Sequence, residues 1–209
     1  MEPNKVSKKL LKRLPIYLNH LKTMPEHSEN ISATALAKAL GLGEVQVRKD
    51  LAKVSHAGRR RTGRSREQLI RDIEKYLDFV TETGTIIVGA GRLGQALLDY
   101  NGFAEFGLNV MAGFDIQPPE NQSARAKPIY PMNRMEAFCR CYDVHIGIIT
   151  VPAESAQAVC DSLIACGIKA IWNFAPVHLQ VPEHIAVQSE NLAISLSSLR
   201  MQLQSDSEQ

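Results

Sequence analysis

A chain of 209 residues that is 44% hydrophobic and 22% charged is long enough for one large domain or two modest ones around a real core, which excludes disordered and fibrous classes. Its longest apolar runs, such as residues 146–151, fall far short of the ~20 residues a membrane-spanning helix needs, and the lysine-studded first 14 residues lack a secretory apolar core, so a cytoplasmic protein is expected. The net charge of +2 hides a division: residues 1–84 carry 17 Lys+Arg against 10 Asp+Glu, and residues 85–209 carry 7 against 12, which points to a polyanion-binding N-terminal module.

The first element is an amphipathic helix over residues 7–24, where Leu10, Leu11, Leu14, Tyr17, Leu18 and Leu21 recur at helical spacing and Pro15 predicts a kink or a late start. Ser32 caps a second helix that ends at Gly41, Leu42 and Gly43, and a third runs over residues 44–54. Two short helices joined by a glycine-containing turn form a helix-turn-helix, whose second helix enters the DNA major groove. In that helix Val47, Leu51 and Val54 make one apolar stripe for the core. The opposite face carries Val45, Gln46, Lys49 and Lys53 with Arg48 on its flank, the residue types that read adenine, thymine methyl and guanine edges or hold phosphates.

Residues 55–64 place Arg59, Arg60, Arg61 and Arg64 around two glycines, which reads as a hairpin wing whose arginines reach a minor groove or phosphates. Ser65 and Gln68 form a capping box for a further helix that ends near residue 80, and residues 81–84 read as the domain junction.

The short β-branched run at residues 85–88 opens onto Gly89, Ala90, Gly91, Arg92, Leu93 and Gly94, and a helix follows. This is GxGxxG between a strand and a helix, the context in which the glycines allow a tight turn, a close pyrophosphate and close helix–strand packing. A second strand over residues 110–114 ends at Asp115, 21 residues past the last glycine. An acid there binds the adenosine ribose and repels a 2′-phosphate, so NAD(H) is expected over NADP(H).

Helices over 133–142 and 153–166 alternate with strands over 144–151 and 169–173, which implies a parallel sheet covered on both faces. Ligand is then expected at the strand ends, near Thr150, Val151 and Pro152 and near Asn173, Phe174, Ala175 and Pro176. The four cysteines, at 139, 141, 160 and 166, match neither zinc nor thioredoxin spacing and read as reduced, mostly buried thiols, and no metal site is expected. Leu192, Leu196, Leu199 and Leu203 form a narrow seam on a last helix that needs a partner, on its own domain or on a second subunit, the latter being favoured because two-helix contacts and palindromic DNA both suit a dimer.

Taken in this order, Val47 to Leu51, the glycine fingerprint with Ala96, Leu97, Asp99 and Tyr100, then Gly102 and Phe103, Phe114 and Asp115, Thr150 to Pro152 and Asn173 to Pro176 resemble the Rex redox-sensing transcriptional repressors of bacteria over almost the whole chain. The resemblance implies an α/β protein with an N-terminal winged helix-turn-helix (1–82), a Rossmann NAD(H)-binding domain (83–188) and a C-terminal dimerisation helix and tail (189–209), the helix being swapped between subunits. It implies a homodimeric repressor that binds a double-stranded inverted-repeat operator when NAD⁺ dominates and is released by NADH. It also places Phe174, Ala175, Pro176 and Tyr100 by the nicotinamide. Two departures stand out: Asn19 and Asn191 occupy positions where many members have a paired arginine and aspartate, and the wing at residues 54–61 lacks the family's aromatics. Both imply a divergent branch with altered operator preference or redox response.

An NAD-dependent oxidoreductase with a helical accessory domain is the alternative. No catalytic constellation supports it: His145 reads as a core residue, and no acid near His178 in sequence orients it as a base. A CoA-binding module shares the fold and is the third reading.

Overall fold

The computed structural model describes residues 7–25, 30–55, 63–77, 82–119 and 127–206. The chain divides into two compact units, Met1–Thr81 and Glu82–Gln209.

In the first unit α1 (Lys8–Thr23) buries Leu10, Leu14, Tyr17, Leu18 and Leu21, one stripe at helical spacing, while Leu11 lies off that stripe and is exposed. Pro15 sits inside the helix without delaying its start, at the expense of the bond its missing N–H would have made. α2 (Ala33–Ala39) begins where Ser32 Oγ accepts from the Ala35 N–H at 3.0 Å. It ends in a left-handed turn at Gly41 (φ +63°), with Leu42 N–H donating to Ala37 O at 2.9 Å and Gly41 N–H to Lys38 O at 3.4 Å. These are the two bonds of a Schellman termination, and they set the turn that aims α3 (Glu44–Val54). Val47 and Leu51 of α3 are buried and Val54 packs against the same core.

The strand β2 (Arg64–Ser65) pairs antiparallel with β1 (Asn30–Ile31), a partner that the sequence pattern did not reveal. The rest of the expected wing, including Arg59, Arg60 and Arg61, lies outside the described residues. α4 (Arg66–Tyr76) is capped by Ser65 Oγ, but the expected capping box is only half made, because the Gln68 amide donates to Asp72 (2.8 Å) instead of reaching back. Arg66, one of the basic run, is structural: its Nε donates to Leu21 O at 2.7 Å and its Nη2 to Lys22 O at 3.3 Å, closing the C-terminus of α1.

The second unit is built on six parallel strands in the order β5-β4-β3-β6-β7-β8. In chain order these are β3 (Thr83–Val88), β4 (Leu108–Asp115), β5 (Ile129–Pro131), β6 (Val144–Ile149), β7 (Ala170–Asn173) and β8 (Ala186–Ser189). The helices are α5 (Arg92–Leu98), α6 (Met135–Cys141), α7 (Ala153–Ala165) and α8 (Leu192–Asp206). Relabelled from β3, the order is 3-2-1-4-5-6, that of a doubly wound dinucleotide fold, with its switch point between β3 and β6. Alternation along β3 decides the two cores: Ile86 and Val88 join Phe114, Ile149, Cys160 and Leu163 on one face, and Ile87 joins Val110, Ile148 and Leu98 on the other. Thr83 and Gly84, expected in the junction, belong to β3 and pair with Leu108 and Asn109.

Candidate functional site

The crevice at the switch point is built first from the turn after β3. Gly89 takes φ +98°, which L side chains rarely adopt, and a Cβ there would also lie 2.8 Å from the Thr150 backbone. Its N–H donates to Phe114 O (2.8 Å) and its carbonyl accepts from Thr150 Oγ1 (2.6 Å), while the Ala90 N–H donates to Asp115 Oδ2 (2.5 Å) and its carbonyl accepts from the Gln95 amide (2.7 Å). Both peptides are thus fully satisfied and the turn is rigid. Gly94 provides packing: a Cβ there would come within 1.9 Å of Gly89 O. Gly91 is different, with an ordinary φ of −67° and nothing within 4 Å of a would-be Cβ. It starts α5, and having no side chain it leaves the first-turn N–H groups of that helix without a side-chain cap.

That space is a cleft of about 470 Å³ which gathers Gly89, Gly91, Asp115, Thr150, Val151 and Pro152 from the expected set. The sequence reading missed Ile116, Met132, Ser155 and Val159 on its walls. Ile116 is 84% exposed directly after the strand-end acid, and Ser155 and Val159 are one helical turn apart on α7; both relations could have been read from the spacing. Met132 follows β5, which was itself missed. An uncapped helix start, an open position at Gly91 and apolar walls are features that fit a dinucleotide. Asp115 is the one ionisable residue among the described residues of the cleft, and its two oxygens accept from Ala90 and Gln117 N–H groups. It offers acceptor oxygens to the cleft, and no second ionisable residue lines the cleft among the described residues.

Other expected residues lie elsewhere. Arg92 and Leu93 are exposed on α5, and Ala90 is buried under the turn. Asn173 is fully buried, its amide donating to Ala175 O (3.1 Å) and Val177 O (3.0 Å) and accepting from Ala175 N–H (2.9 Å), so it shapes the loop that carries Phe174, Ala175 and Pro176. Ala175 and Pro176 line a second cleft of about 480 Å³ with His178, Asn191 and Ile194. Tyr100 is 57% exposed and stacks edge-on against Phe103 (5.0 Å), which meets Trp172 (6.0 Å), which meets Phe174 (4.5 Å). This aromatic chain, with Phe103 and Trp172 absent from the expected set, ties Tyr100 to the Asn173–Pro176 loop.

Three sequence expectations need correction. Of the cysteines, Cys160 alone is fully buried and Cys141 is exposed; burial pushes the Cys139 thiol up to about 11 and raises Cys160 and Cys166, which makes all three poor nucleophiles. His145 is not a core residue: its side chain is one-third exposed and its Nδ1 lies 3.3 Å from Asp143. The apolar seam on α8 is not narrow, because Ile194 and Met201 are as exposed as Leu192, Leu196 and Leu199. Asn191 has a clear role, its Oδ1 accepting from the Ala193 and Ile194 N–H groups at 3.1 Å as the cap of α8. Asn19 is exposed on α1.

On α3, Val45, Gln46, Arg48, Lys49 and Lys53 are all exposed, as the wheel requires, and Arg48 pairs with Glu44 one turn earlier. Arg64, half-buried in β2, lies on the wing strand. Behind this face is a buried acid that the sequence reading passed over. Asp50 is 2% exposed and accepts from Arg13 Nε (2.7 Å) and Nη2 (2.9 Å), Tyr17 Oη (2.9 Å) and Gln46 Nε2 (2.8 Å). Burial opposes its charge, but the hydrogen bonds from Arg13, Tyr17 and Gln46 outweigh it and hold the carboxyl below its ordinary range. Burial, then the contact with Asp50, pushes the Tyr17 hydroxyl up to about 12.

The profile of the CoA binding domain family matches residues 80–177, and that of the putative DNA-binding protein N-terminus matches residues 5–52. The redox-sensing transcriptional repressor Rex of Bacteroides fragilis is 37% identical over 198 residues, covering 94% of this chain and 90% of that protein. The crystal structure of RSP in complex with β-NAD⁺ and operator DNA superposes with a TM-score of 0.87 at 32% identity, covering 98% of this chain and 95% of the other. RSP in complex with β-NADH gives 0.83 at 32%, covering 98% and 97%. With both profiles on the two units and sequence identity running through the whole length, this chain belongs to the Rex family of redox-sensing transcriptional repressors.

Proposed function

We propose that this protein is a homodimeric, cytoplasmic repressor that binds an inverted-repeat operator and is released by NADH, so that it reports the NADH/NAD⁺ ratio. Residues 1–82 read DNA, 83–188 hold the nucleotide, and 189–209 provide the dimerisation helix and tail. The observation that carries this reading is the joining, on one chain, of an exposed Gln/Lys/Arg face on α3 with a rigid glycine turn beside Asp115, in a fold that superposes on RSP bound to NAD⁺ and operator DNA. No helix among the described residues is long and apolar enough to cross a membrane.

The switch follows from linkage: NADH displaces DNA only if it binds better to the arrangement that does not hold DNA. Reduction removes the positive charge of the nicotinamide. A site beside Phe174, Ala175, Pro176 and Tyr100 then favours the neutral ring, because burying an unpaired charge is costly. The exposed leucines of α8 give a second subunit its apolar contact, and sedimentation equilibrium is expected to return a dimer.

The test is an electrophoretic mobility shift on an inverted repeat with NAD⁺, NADH, CoA or no ligand, at one ionic strength because salt alone alters affinity. Release by NADH, and not by NAD⁺ or CoA, is the expected result; binding indifferent to NADH contradicts the reading. Asp115→Ser is expected to weaken NADH binding ~10-fold or more, the worth of a hydrogen bond to a charged group, and to narrow its margin over NADPH. Fluorescence titration measures both. Alanine at Arg59, Arg60 and Arg61 is expected to weaken binding to all sequences and to reduce the log–log salt slope by up to ~0.9 per lost phosphate contact.

A further inference from the structure

We propose that Asp50 is a specificity-positioning residue that locks the Gln46 amide in the one orientation that reads an adenine in the major groove. The inference rests on the DNA-binding reading of α3 and adds to it how one base is chosen.

An ionised carboxylate offers about four acceptor positions and no donor. Asp50 fills all four: Oδ2 takes Arg13 Nε and Tyr17 Oη, and Oδ1 takes Arg13 Nη2 and Gln46 Nε2. The side-chain amide of Gln46 can therefore present only its NH₂ to Asp50, since the flipped amide would set its oxygen against a carboxylate oxygen at 2.8 Å. Gln46 and Asp50 are one helical turn apart, so the contact forms within α3 and needs no movement of the backbone.

What remains of the amide is Oε1 and the second Nε2 hydrogen, on an exposed residue whose side chain makes no other hydrogen bond among the described residues. That acceptor and donor pair matches N6–H and N7 of adenine. The lock also removes rotamer freedom that an unrestrained glutamine would lose on binding. Arg13 and Tyr17, from α1, hold the carboxylate in turn, so an exposed base reader is anchored to the core of the domain through three side chains.

The experiment measures binding of the full-length protein to a panel of inverted repeats in which each base pair of the half-site is varied. Gln46→Ala is expected to flatten the preference at one A·T pair per half-site by about 5- to 150-fold. Asp50→Asn, whose own amide accepts either orientation of its neighbour, is expected to flatten that same pair and no other. Gln46→Glu is expected to move the preference there toward C·G, as a carboxylate accepts from cytosine N4. An unchanged profile for Gln46→Ala overturns the proposal, as does a loss with Asp50→Asn that is uniform over all positions. If Asp50→Asn does not fold by circular dichroism, the side-chain amide of Gln46 in the wild-type protein decides it by nuclear magnetic resonance: one exchange-protected Nε2 proton is expected, and two freely exchanging protons overturn the lock. Wild-type protein that binds no member of the panel overturns the DNA-binding reading itself, and the proposal with it.

Discussion

Gly91→Val is expected to reduce NADH and NAD⁺ affinity at least ~100-fold while the protein stays folded, whereas Gly94→Val, three residues on, is expected to damage the fold itself. The two differ because the glycines are needed for different reasons. At Gly91 the backbone is ordinary (φ −67°) and no protein atom lies within 4 Å of a new Cβ, so the side chain enters only the open space proposed for the phosphates. Blocking that approach removes the charge-assisted bonds from the first turn of α5, and ~100-fold corresponds to about 2.7 kcal/mol. At Gly94 a Cβ falls 1.9 Å from Gly89 O and 2.9 Å from Thr150 Oγ1, against atoms that the turn itself holds fixed. Overpacking of that kind costs about 3 kcal/mol. Thermal denaturation separates the two: Gly91→Val keeps the wild-type midpoint, and ligand-free operator binding persists but no longer answers to NADH.

Arg13→Ala is the second large effect. It leaves Asp50 as a buried carboxylate with its main partner gone, a change that costs about 3 kcal/mol or more. For a domain of this size that lowers the midpoint by ~12 °C or more, visible by calorimetry as a shift of the N-terminal transition. The pH dependence has a definite sign. Asp50 is held below its unfolded value, so its contribution is complete above the ordinary carboxylate range, about pH 4, and is lost as pH falls through the lower native value. Tyr17 is raised to about 12, so its contribution is complete below ~10 and is lost as pH climbs through the native value. Wild-type stability of the N-terminal unit is therefore expected to decline at both extremes, and Arg13→Ala to lose the acid arm; a variant that matches wild type at pH 3 and at pH 7 contradicts this.

The burial of Asp50 leaves no local mark in the sequence. Periodicity reports apolar faces, and on α3 it placed Val47, Leu51 and Val54 correctly, along with the exposed Val45, Gln46, Lys49 and Lys53. A buried acid looks like a surface acid until the partner that neutralises it is known, and Arg13 is 37 positions away on another helix. The glycine turn and Asp115 were legible because their spacing is local and each position has a steric reason. The strands β1, β5 and β8 were not, since two to four residues at a sheet edge give no usable alternation. Phe103 and Trp172 joined the site only through packing, when the fold brought the aromatic chain together.

Asn191 is legible in a different way. The resemblance marks it as a departure from a charged pair, and the structure gives it the work of capping α8. An uncharged cap keeps the helix start and forgoes an ion pair at that position, so the proposed redox response is expected to depend on how the nucleotide itself divides between the two arrangements.

That dependence is open to direct measurement through Trp172, the one tryptophan in the sequence, which sits beside Phe174, a residue proposed to lie by the nicotinamide, and is therefore expected to pass excitation to bound NADH. NADH is titrated by its sensitised emission with and without saturating operator. Reciprocity requires that operator weaken NADH binding by the same factor by which NADH weakens operator binding. Equal factors well above one confirm a repressor gated by NADH; an NADH affinity that operator leaves unchanged contradicts it.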